Sequence, residues 1–417
     1  MPSHPLRVCV VADDLSGAAD TAVQFLRSGE ETLLLTLGEA AAPEPEAGAG
    51  LAIDTGTRGL DPAQAAPRLR MAAGIVRLCR PALVYHKMDS QLRGRPGLEI
   101  ETVRRELGLR CALVAPAHPD QGRVTIDGVH LVRGVPTAEG EAGRDPVAPV
   151  TESCLPRLLA RQAGVPVTHL HHTDLDNGPD ALRRTLERLL SEGHRLITCD
   201  AGCRQHLDVV AAVVAGGLRD ALLAGSAGLA TALAARLRPG EAAGSAAMRP
   251  ASSMLFVCGS ASRSLRRQVA LLRQGRCQAV VLTPSSLAGE GLRALTRAAT
   301  AAWEACDLVV QAPHERREGR TAPGRILSAL AALGAALANH RKPGALFLSG
   351  GDTARAILGA AGVSAIRLRG EVIPGAPWGV AQGGALDGVT VVTMSGSFGR
   401  DQDLVAVHRR CRKDGAR

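Results

Sequence analysis

Aromatic residues are scarce in this chain of 417 residues: four Phe, two Trp and one Tyr make up 2% of it. Because single-stranded nucleic acid stacks on aromatic side chains, this scarcity argues against that class of ligand. Lysine is scarce as well, since Lys87, Lys342 and Lys413 are the three Lys among 49 basic residues. The net charge of +9 therefore comes from scattered Arg, which reflects coding bias and suits an anionic small molecule.

Several patterns that would assign a function are also missing. The ten Cys form no CxxC pair and have no zinc-ligand spacing, so we interpret them as small buried side chains in a reducing cytosol. No GxxxxGK[ST] segment is present, which argues against a P-loop ATPase. No apolar signal segment precedes the first predicted strand, and the Ala- and Gly-rich run 221–237 predicts a buried helix and not a membrane span. We expect a cytoplasmic protein with neither a membrane nor a nucleic acid as partner.

The chain does contain an alternation of strand-like and helix-like segments, which predicts the α/β class. With 417 residues it is too long for one core. The stretch Leu237 to Ser253 is rich in Pro, Gly, Ala and Ser and has little periodicity, which is typical of an interdomain linker. We therefore predict two α/β domains, residues 1–238 and 253–417.

The stretch Leu6 to Gly29 organises the first half. Its apolar run Val8 to Val11 predicts a buried strand, and the apolar spacing that follows predicts a helix with Gly29 as its C-cap. Asp13 and Asp14 lie at the turn between them, where open α/β sheets bind ligands. Two adjacent carboxylates repel each other unless a cation or a hydroxyl-rich ligand shares them, which favours a functional role. The alternative is that one Asp merely caps the helix.

Further charged and polar side chains follow other predicted strands of the first half. Arg and Lys suit a carboxylate ligand, whereas Asp suits sugar hydroxyls, so the mixture predicts a site for a polyhydroxy acid. The alternative is a surface of salt bridges, which contribute little. The residues are Asp54, Arg58, Lys87, Asp89, Ser90, Arg93, Gln121 and Arg123.

Three histidines resemble a metal cluster at first sight. His169, His171 and His172 belong to a predicted strand, and strand alternation places His169 and His171 on one face. No neighbouring carboxylate completes a ligand set in the sequence, so we predict no metal site here.

The second half contains three turns rich in Gly and Ser, each after a strand-like run. They are CGSAS at 258–262, SGGDT at 349–353 and SGSFG at 395–399. After the second turn, Asp352 or Thr353 is predicted to cap a helix, and a helix N-terminus binds phosphate. Together the turns predict a polyphosphate site built from backbone; the alternative is ordinary strand-to-helix turns, which favour Gly and Ser anyway.

The chain resembles the four-carbon acid sugar kinases, a family formerly of unknown function. The matching segments occur in the same order along nearly the whole chain. They are ADDLSGAAD, KMDSQLRG, APAHPDQGRVTIDGVHLVRGVP, RDPVAPVTES, GSAGLA, CGSAS, SGGDTA, PGAPWG and VVTMSGSFG. Leu15-Ser16 stands where many members have Phe-Thr, and Met394 stands where members often carry Lys.

The resemblance implies an N-terminal acid-sugar-binding domain, a C-terminal nucleotide-binding domain and an active site in the cleft between them. It implies phosphorylation of the terminal (4-) hydroxyl of D-threonate or D-erythronate by ATP with Mg²⁺; 3-oxo-tetronate is the alternative substrate. The implied acid-sugar contacts are Asp13, Asp14, Ser16, Gly17, Arg58, Lys87, Asp89, Ser90, Arg93, Gln121 and Arg123. The implied ATP contacts are Ser260, Gly350, Gly351, Asp352, Thr353 and Gly396.

Within that site we predict Asp89 as the base that accepts the hydroxyl proton, with Asp14 as second choice. Lys87 and Arg93 would hold the substrate carboxylate or the transferring phosphoryl group. A non-catalytic acid-sugar sensor is the competing class, although the intact SGGDTA argues against it. A phosphatase with an Asp nucleophile is weaker still, because it needs Asp-x-Asp after the first strand. The oligomeric state is left open, a homo-oligomer included.

Overall fold

The computed structural model describes residues 8–26, 32–37, 50–218, 220–237, 247–260, 262–275, 277–313, 323–396 and 398–412. The chain folds as two α/β domains. The N-terminal domain comprises Met1–Arg27 and Pro45–Ala243, and the C-terminal domain comprises Ser28–Glu44 and Gly244–Arg417. The boundaries predicted from the sequence place residues 28–44 in the N-terminal domain. The structure instead gives this segment to the C-terminal domain, because its strand pairs there.

The strands of the N-terminal domain are short and mostly buried, as expected for a parallel sheet that is covered on both faces. The parallel strands are β1 (Val8–Ala12), β3 (Gly50–Asp54), β4 (Leu83–Lys87), β5 (Cys111–Ala115), β9 (Val167–Leu170), β10 (Leu196–Cys199) and β11 (Ala221–Gly225). A small antiparallel sheet contains β6 (Arg123–Ile126), β7 (Val129–Val132) and β8 (Val135–Pro136). Strands β6 and β7 form a hairpin.

The helices of this domain connect its parallel strands. They are α1 (Leu15–Gln24), α2 (Pro62–Cys79), α3 (Pro96–Glu106), α4 (Leu155–Ala163), α5 (His172–Asp176), α6 (Gly178–Ser191), α7 (Arg204–Ala215) and α8 (Ala227–Leu237). Local chemistry fixes the start of helix α2: Asp61 and Gln64 form a capping box there, and Pro62 occupies the first turn.

The strand order of the N-terminal sheet is β3-β1-β4-β11-β5-β10-β9. From β1 the chain first adds β3 on one side and then β4 on the other. The strand order therefore reverses between β1 and β4. In open parallel sheets, ligands bind at the carboxyl ends of the strands at such a switch point.

The C-terminal domain has a mixed sheet. Its strands are β2 (Thr32–Thr36), β12 (Met254–Cys258), β13 (Cys277–Val281), β14 (Asp307–Gln311), β15 (Ala345–Ser349), β16 (Ala365–Ile373), β17 (Ala376–Gln382) and β18 (Thr390–Met394). Their order is β13-β14-β12-β15-β18-β17-β16-β2, parallel as far as β18 and antiparallel from there on.

Five helices are described in the C-terminal domain: α9 (Arg263–Leu272), α10 (Gly289–Ala305), α11 (Pro323–His340), α12 (Gly351–Ala360) and α13 (Asp403–Arg412). Phe256 and Phe347 pack together in the core with ring centroids 5.5 Å apart. The chain adds β14 on one side of β12 and β15 on the other, so this sheet has its switch point between β12 and β15.

Some predicted elements differ from the structure. The run 221–237 is not one helix, because Ala221–Gly225 is strand β11 and the helix starts at Ala227. A short apolar run of Leu and Ala fits a doubly covered parallel strand as well as a helix, and Gly225-Ser226 separates the two. Helix α1 ends at Gln24, whereas its predicted C-cap Gly29 lies outside the described residues. Residues 238–246 of the predicted linker also lie outside them.

Within the described ranges no helix has both the length and the apolar character needed to cross a membrane. All ten cysteines are free thiols, and only Cys203 is exposed.

Candidate active site

Arg58 holds three carboxylates at the switch point of the N-terminal sheet. Its Nε donates to Asp13 Oδ2 at 2.6 Å, and its Nη2 donates to Asp13 Oδ1 at 2.9 Å and to Asp14 Oδ1 at 2.8 Å. The same Nη2 lies 3.6 Å from Asp89 Oδ1. The adjacent carboxylates predicted to need a shared cation thus have one within the protein. Burial raises the pKa of Asp13 to about 7, although Arg58 opposes that shift.

Asp14 has a second contact, because it caps helix α1. Its Oδ1 accepts a hydrogen bond of 3.0 Å from the Gly17 N–H. A Cβ at Gly17 would lie 2.5 Å from Asp14 Oδ1 and 2.9 Å from Lys87 Nζ. The missing side chain at Gly17 therefore lets both Asp14 and Lys87 lie close to the first turn of α1. Lys87 is buried at the end of β4 and donates to the Met88 carbonyl at 2.8 Å.

Asp89 and Arg93 form a two-point ion pair. Arg93 Nε donates to Asp89 Oδ2, and Nη2 donates to Oδ1, each at 2.8 Å. The backbone N–H groups of Gln91 and Arg93 also donate to Asp89 Oδ2. Burial alone would raise the pKa of Asp89, but the charges of Arg93 and Arg58 hold it well below its usual range. Arg93 Nη1 also lies 3.4 Å from Asp145 Oδ2.

The segment after β4 turns back toward the switch point through two left-handed residues. Leu92 has φ 63° although it is not a glycine, and Gly94 has φ 87°. Such a conformation is uncommon for a branched residue, and it persists here with Leu92 fully buried. A Cβ at Gly94 would lie 3.4 Å from Asp13 Oδ2. This turn brings Asp89, Ser90 and Arg93 next to the carboxylates that follow β1.

The hairpin β6–β7 supplies the next layer of the site. His130 Nε2 hydrogen-bonds the Ser90 carbonyl at 2.9 Å, and Thr125 Oγ1 contacts His130 Nδ1 at 2.9 Å. Arg123, at the start of the hairpin, is buried. Burial lowers its pKa to about 10; Asp89 opposes this shift, and the nearby charge of Arg93 adds to it. Gln121 differs from the other predicted contacts, because it is exposed and its carbonyl is what contacts Arg123.

Two side chains of this site were not predicted from the sequence. Asp20 lies one helical turn after Ser16 on α1, and burial raises its pKa to about 6 against the nearby charges of Lys87 and Arg123. The i, i+4 spacing from Ser16 was the signal that could have identified it. Burial also lowers the pKa of His118 to about 4, with help from Arg123. Ser16 Oγ is buried and has no hydrogen-bond partner among the described residues.

The three turns rich in Gly and Ser of the C-terminal domain come together. They follow β12, β15 and β18, which are neighbours in the sheet, and the first two flank its switch point. A Cβ at Gly259 would lie 1.8 Å from Thr353 Oγ1, and a Cβ at Gly396 would lie 2.3 Å from Ser260 Cβ. Only glycine allows the turns to pack this closely.

Helix α12 begins inside this cluster. Gly350 is its N-cap with φ 97°, and Gly351 is its first residue, so neither Asp352 nor Thr353 is the cap as predicted. Both lie instead in the first turn, where the backbone N–H groups have no partner within the helix. Ser349 Oγ is buried beside this turn and has no partner among the described residues. Glycines, hydroxyls and a helix N-terminus together can bind a polyphosphate.

Comparisons with known proteins also distinguish an N-terminal from a C-terminal domain. A family model described as a sugar-binding N-terminal domain matches residues 8–233. A second model, described as a nucleotide-binding C-terminal domain, matches residues 255–404. The two clusters described above lie one in each matched region.

Curated relatives match over nearly the full chain. A D-threonate kinase of Salmonella typhimurium is 32% identical and covers 96% of this chain and 97% of its own length. A D-threonate kinase of Cupriavidus necator is 33% identical over 95% of both chains. A D-erythronate kinase of Heliobacterium modesticaldum is 28% identical over 94% of both. A crystal structure of a Haemophilus influenzae protein has the same fold, with a TM-score of 0.72 at 20% identity over 97% of this chain and 100% of its own. The chain therefore belongs to the four-carbon acid sugar kinase family.

Proposed function

We propose that this protein transfers the γ-phosphoryl group of ATP to the 4-hydroxyl of D-threonate. The observation that carries the proposal is the Arg58-centred group of Asp13, Asp14 and Asp89 at the switch point of the sugar-binding domain. The choice of D-threonate is supported by relatives of that name at 32–33% identity, against 28% for the D-erythronate kinase.

The charges of the site suit a polyhydroxy acid. Arg58 and Arg93 already bind carboxylates of the protein, so we assign them to positioning Asp13, Asp14 and Asp89. Lys87 and Arg123 are the cations that we assign to the substrate carboxylate or the transferring phosphoryl group. An anion beside Arg123 would offset the burial and the neighbouring positive charge that lower its pKa.

Hydroxyl recognition falls to the first turn of α1. Ser16 Oγ is buried without a partner, so a substrate hydroxyl there would satisfy it. Asp13 Oδ1 and Oδ2 face Arg58, and a Cβ at Gly17 would lie within 3 Å of both Asp14 Oδ1 and Lys87 Nζ, so only glycine fits beside these two side chains.

For the base, the geometry favours Asp14 over Asp89. Both oxygens of Asp89 are bound by Arg93, and its pKa is low, so it is a weak proton acceptor. The hydrogen bonds of Asp14 to other described residues both fall on Oδ1, which leaves Oδ2 to accept the proton of the attacking hydroxyl.

In the C-terminal domain we assign ATP phosphate binding to the turns that contain Ser260, Gly350, Gly351, Thr353 and Gly396. The close approach of these turns and the unpartnered Ser349 hydroxyl fit a polyphosphate. Asp352, in the first turn of α12, would hold the Mg²⁺ that accompanies ATP, and this ion would neutralise phosphate charge during transfer.

The direct test is a screen of ATP consumption by the full-length protein over D-threonate, D- and L-erythronate and 3-oxo-tetronates. We expect the highest kcat/KM with D-threonate and a 4-phosphorylated product by NMR. A higher value with 3-oxo-tetronate would reassign the substrate. Binding of a tetronate without any ATP consumption would instead favour the acid-sugar sensor.

A further inference from the structure

A second cluster of polar side chains lies at the opposite edge of the N-terminal sheet from the switch point. It contains Asp127, His169, His171, His172 and Asp200, and we call it the His–Asp cluster. His169 lies on the edge strand β9, Asp200 directly follows the neighbouring strand β10, and Asp127 lies in the turn of hairpin β6–β7. The sequence-based expectation that no carboxylate lies near these histidines was wrong, because sheet pairing brings in Asp200.

The donor atoms of the cluster lie within metal-ligand range of one another. His169 Nε2 is 3.1 Å from Asp200 Oδ1, and His171 Nδ1 is 3.5 Å from Asp127 Oδ1 and 4.0 Å from Asp200 Oδ2. One donor atom from each of His169, His171 and Asp200 lies within 4.8 Å of the other two, and the same holds for a second group of Asp127, His172 and Asp200, which shares Asp200 with the first. In tetrahedral sites with bonds of about 2.0–2.1 Å, neighbouring ligand atoms are about 3.3 Å apart. The observed separations therefore need only small side-chain rotations.

Asp200 is held in place by the backbone. Its side chain is fully buried, and it accepts hydrogen bonds from the N–H groups of Asp127, Gly128 and His172. A carboxylate fixed in this way is a preorganised ligand. The other ligands can adjust, because the side chains of His171 and Asp127 are 54% and 70% exposed.

His169 already has the outer contact of a metal-binding histidine. Its Nδ1 lies 2.9 Å from Thr198 Oγ1, and its Nε2 lies 3.1 Å from Asp200 Oδ1. A metal ion would take the place of the proton shared between Nε2 and the carboxylate, while Thr198 stays the outer partner that such histidines usually have.

The buried Nδ1 of His172 adds an independent observation. It has no hydrogen-bond partner among the described residues. It lies 3.8 Å from Asp200 Oδ2 and 3.9 Å from Asp127 Oδ1. His172 is therefore a further nitrogen donor beside the same two carboxylates.

We propose that His169, His171, Asp200 and Asp127 bind one divalent transition-metal ion of the zinc class, with His172 as an alternative ligand. A mixture of imidazole and carboxylate donors suits Zn²⁺, whereas Mg²⁺ prefers oxygen ligands and water. The ion would tie the turn of hairpin β6–β7 to strands β9 and β10. Because this hairpin carries Arg123 and His130, the ion would steady the acid-sugar site without taking part in phosphoryl transfer.

The test uses the full-length protein after treatment with a chelator. Co²⁺ is titrated and its visible absorption is followed, since tetrahedral Co²⁺ with nitrogen and oxygen ligands absorbs far more strongly than the hydrated ion. Zn²⁺ is then used to displace it. We expect one ion per chain, and affinity losses of more than about tenfold in His171→Asn and Asp127→Asn, since even outer-shell changes cost that much. Both residues are exposed, and Asn tolerates the left-handed backbone of Asp127 (φ 48°).

His194→Asn is the matched control. His194 is also an accessible histidine next to β10, but it contacts Thr168 and Glu192 and lies outside the cluster. Zn²⁺ should also raise the melting temperature of the wild-type and His194→Asn proteins and not that of the two cluster variants. Absence of a tetrahedral Co²⁺ spectrum, or equal affinities in all four proteins, would overturn the proposal.

Discussion

At the scale of single residues, Arg58 decides the charge balance of the proposed acid-sugar site. One guanidinium contacts Asp13 and Asp14 and approaches Asp89. Three carboxylates around one cation leave two negative charges, which the nearby charges of Lys87, Arg93 and Arg123 offset. Since removal of one partner from a buried ion pair leaves an uncompensated charge, Arg58 is a structural requirement of the site as much as a functional one.

The first prediction separates the two candidate bases. We expect Asp14→Asn to lower kcat roughly 10²–10⁴-fold, the usual cost of losing a general base, with little change in KM. Asp89→Asn should instead raise KM and lower the melting temperature, because it breaks the ion pair with Arg93. Steady-state kinetics and melting curves on both variants measure this. A larger fall in kcat for Asp89→Asn, at unchanged stability, would restore Asp89 as the base.

The second prediction concerns Asp20 and pH. Burial raises its pKa from 3.8 to about 6, so the folded protein binds this proton more tightly than the unfolded chain does. Its contribution to the free energy of unfolding therefore falls as pH rises from about 4 to about 6. Asp20→Asn should raise the melting temperature at pH 8 and leave it unchanged near pH 4. The exposed Glu187→Gln is the control, and an equal effect of Asp20→Asn at both pH values contradicts the assignment.

At the scale of elements, helices α1 and α12 occupy equivalent positions in the two domains. Each starts directly after a central parallel strand and presents its N-terminus at a switch point. The starts differ in one respect: a carboxylate, Asp14, caps α1, whereas Gly350 caps α12. The α12 end is therefore open to an added anion, while the α1 end already contacts one.

The third prediction tests the α12 end with two substitutions in the same helix. Gly351→Val places a branched side chain at the first helical position, and we expect it to weaken ATP binding at least about tenfold, about 1.4 kcal/mol. Gly359→Val is the matched control, since Gly359 is exposed and a Cβ there meets nothing within 4 Å. Calorimetric titration with a non-hydrolysable ATP analogue gives both affinities. Equal affinities in two folded variants would remove this turn from the nucleotide site.

Elements with a single clear signal were predictable from sequence, and pairings between distant segments were not. The first strand was predicted within one residue of its observed bounds, Val8–Ala12, because the unbroken apolar run Val8 to Val11 marks it locally. Strand order cannot be read from local composition, so the sequence alone did not show that Asp200 lies beside His169. Likewise Arg58 was predicted to bind substrate, since nothing in sequence shows that it is already occupied by Asp13 and Asp14.

At the scale of the whole molecule, each domain has its own switch point and its own candidate ligand site. The sugar-binding and nucleotide-binding family models match these two regions separately. We therefore expect each ligand to slow hydrogen exchange at the backbone amides of one domain only.

The fourth prediction is that the two ligands protect different domains, and it is tested by hydrogen exchange on the full chain. D-threonate should slow exchange in the turns after β1, β3 and β4, and an ATP analogue should slow it in the turns after β12, β15 and β18. Ligand contact at these turns is the reason, because bound backbone amides open less often. Peptides from the edge strands β9 and β13 serve as internal controls. Protection by D-threonate confined to the C-terminal domain would reverse the assignment of the two sites.

Strand β2 lies early in the chain but pairs in the C-terminal sheet, and this has a consequence for protein synthesis. β2 ends at Thr36, whereas its antiparallel partner β16 starts at Ala365. At about 10 residues per second the ribosome needs roughly half a minute to make the chain between them. The antiparallel pairing of β2 with β16 can therefore form only near the end of translation. Slower translation lengthens the time for which β2 lacks this partner, so we expect the yield of native protein to depend on codon usage and chaperone supply.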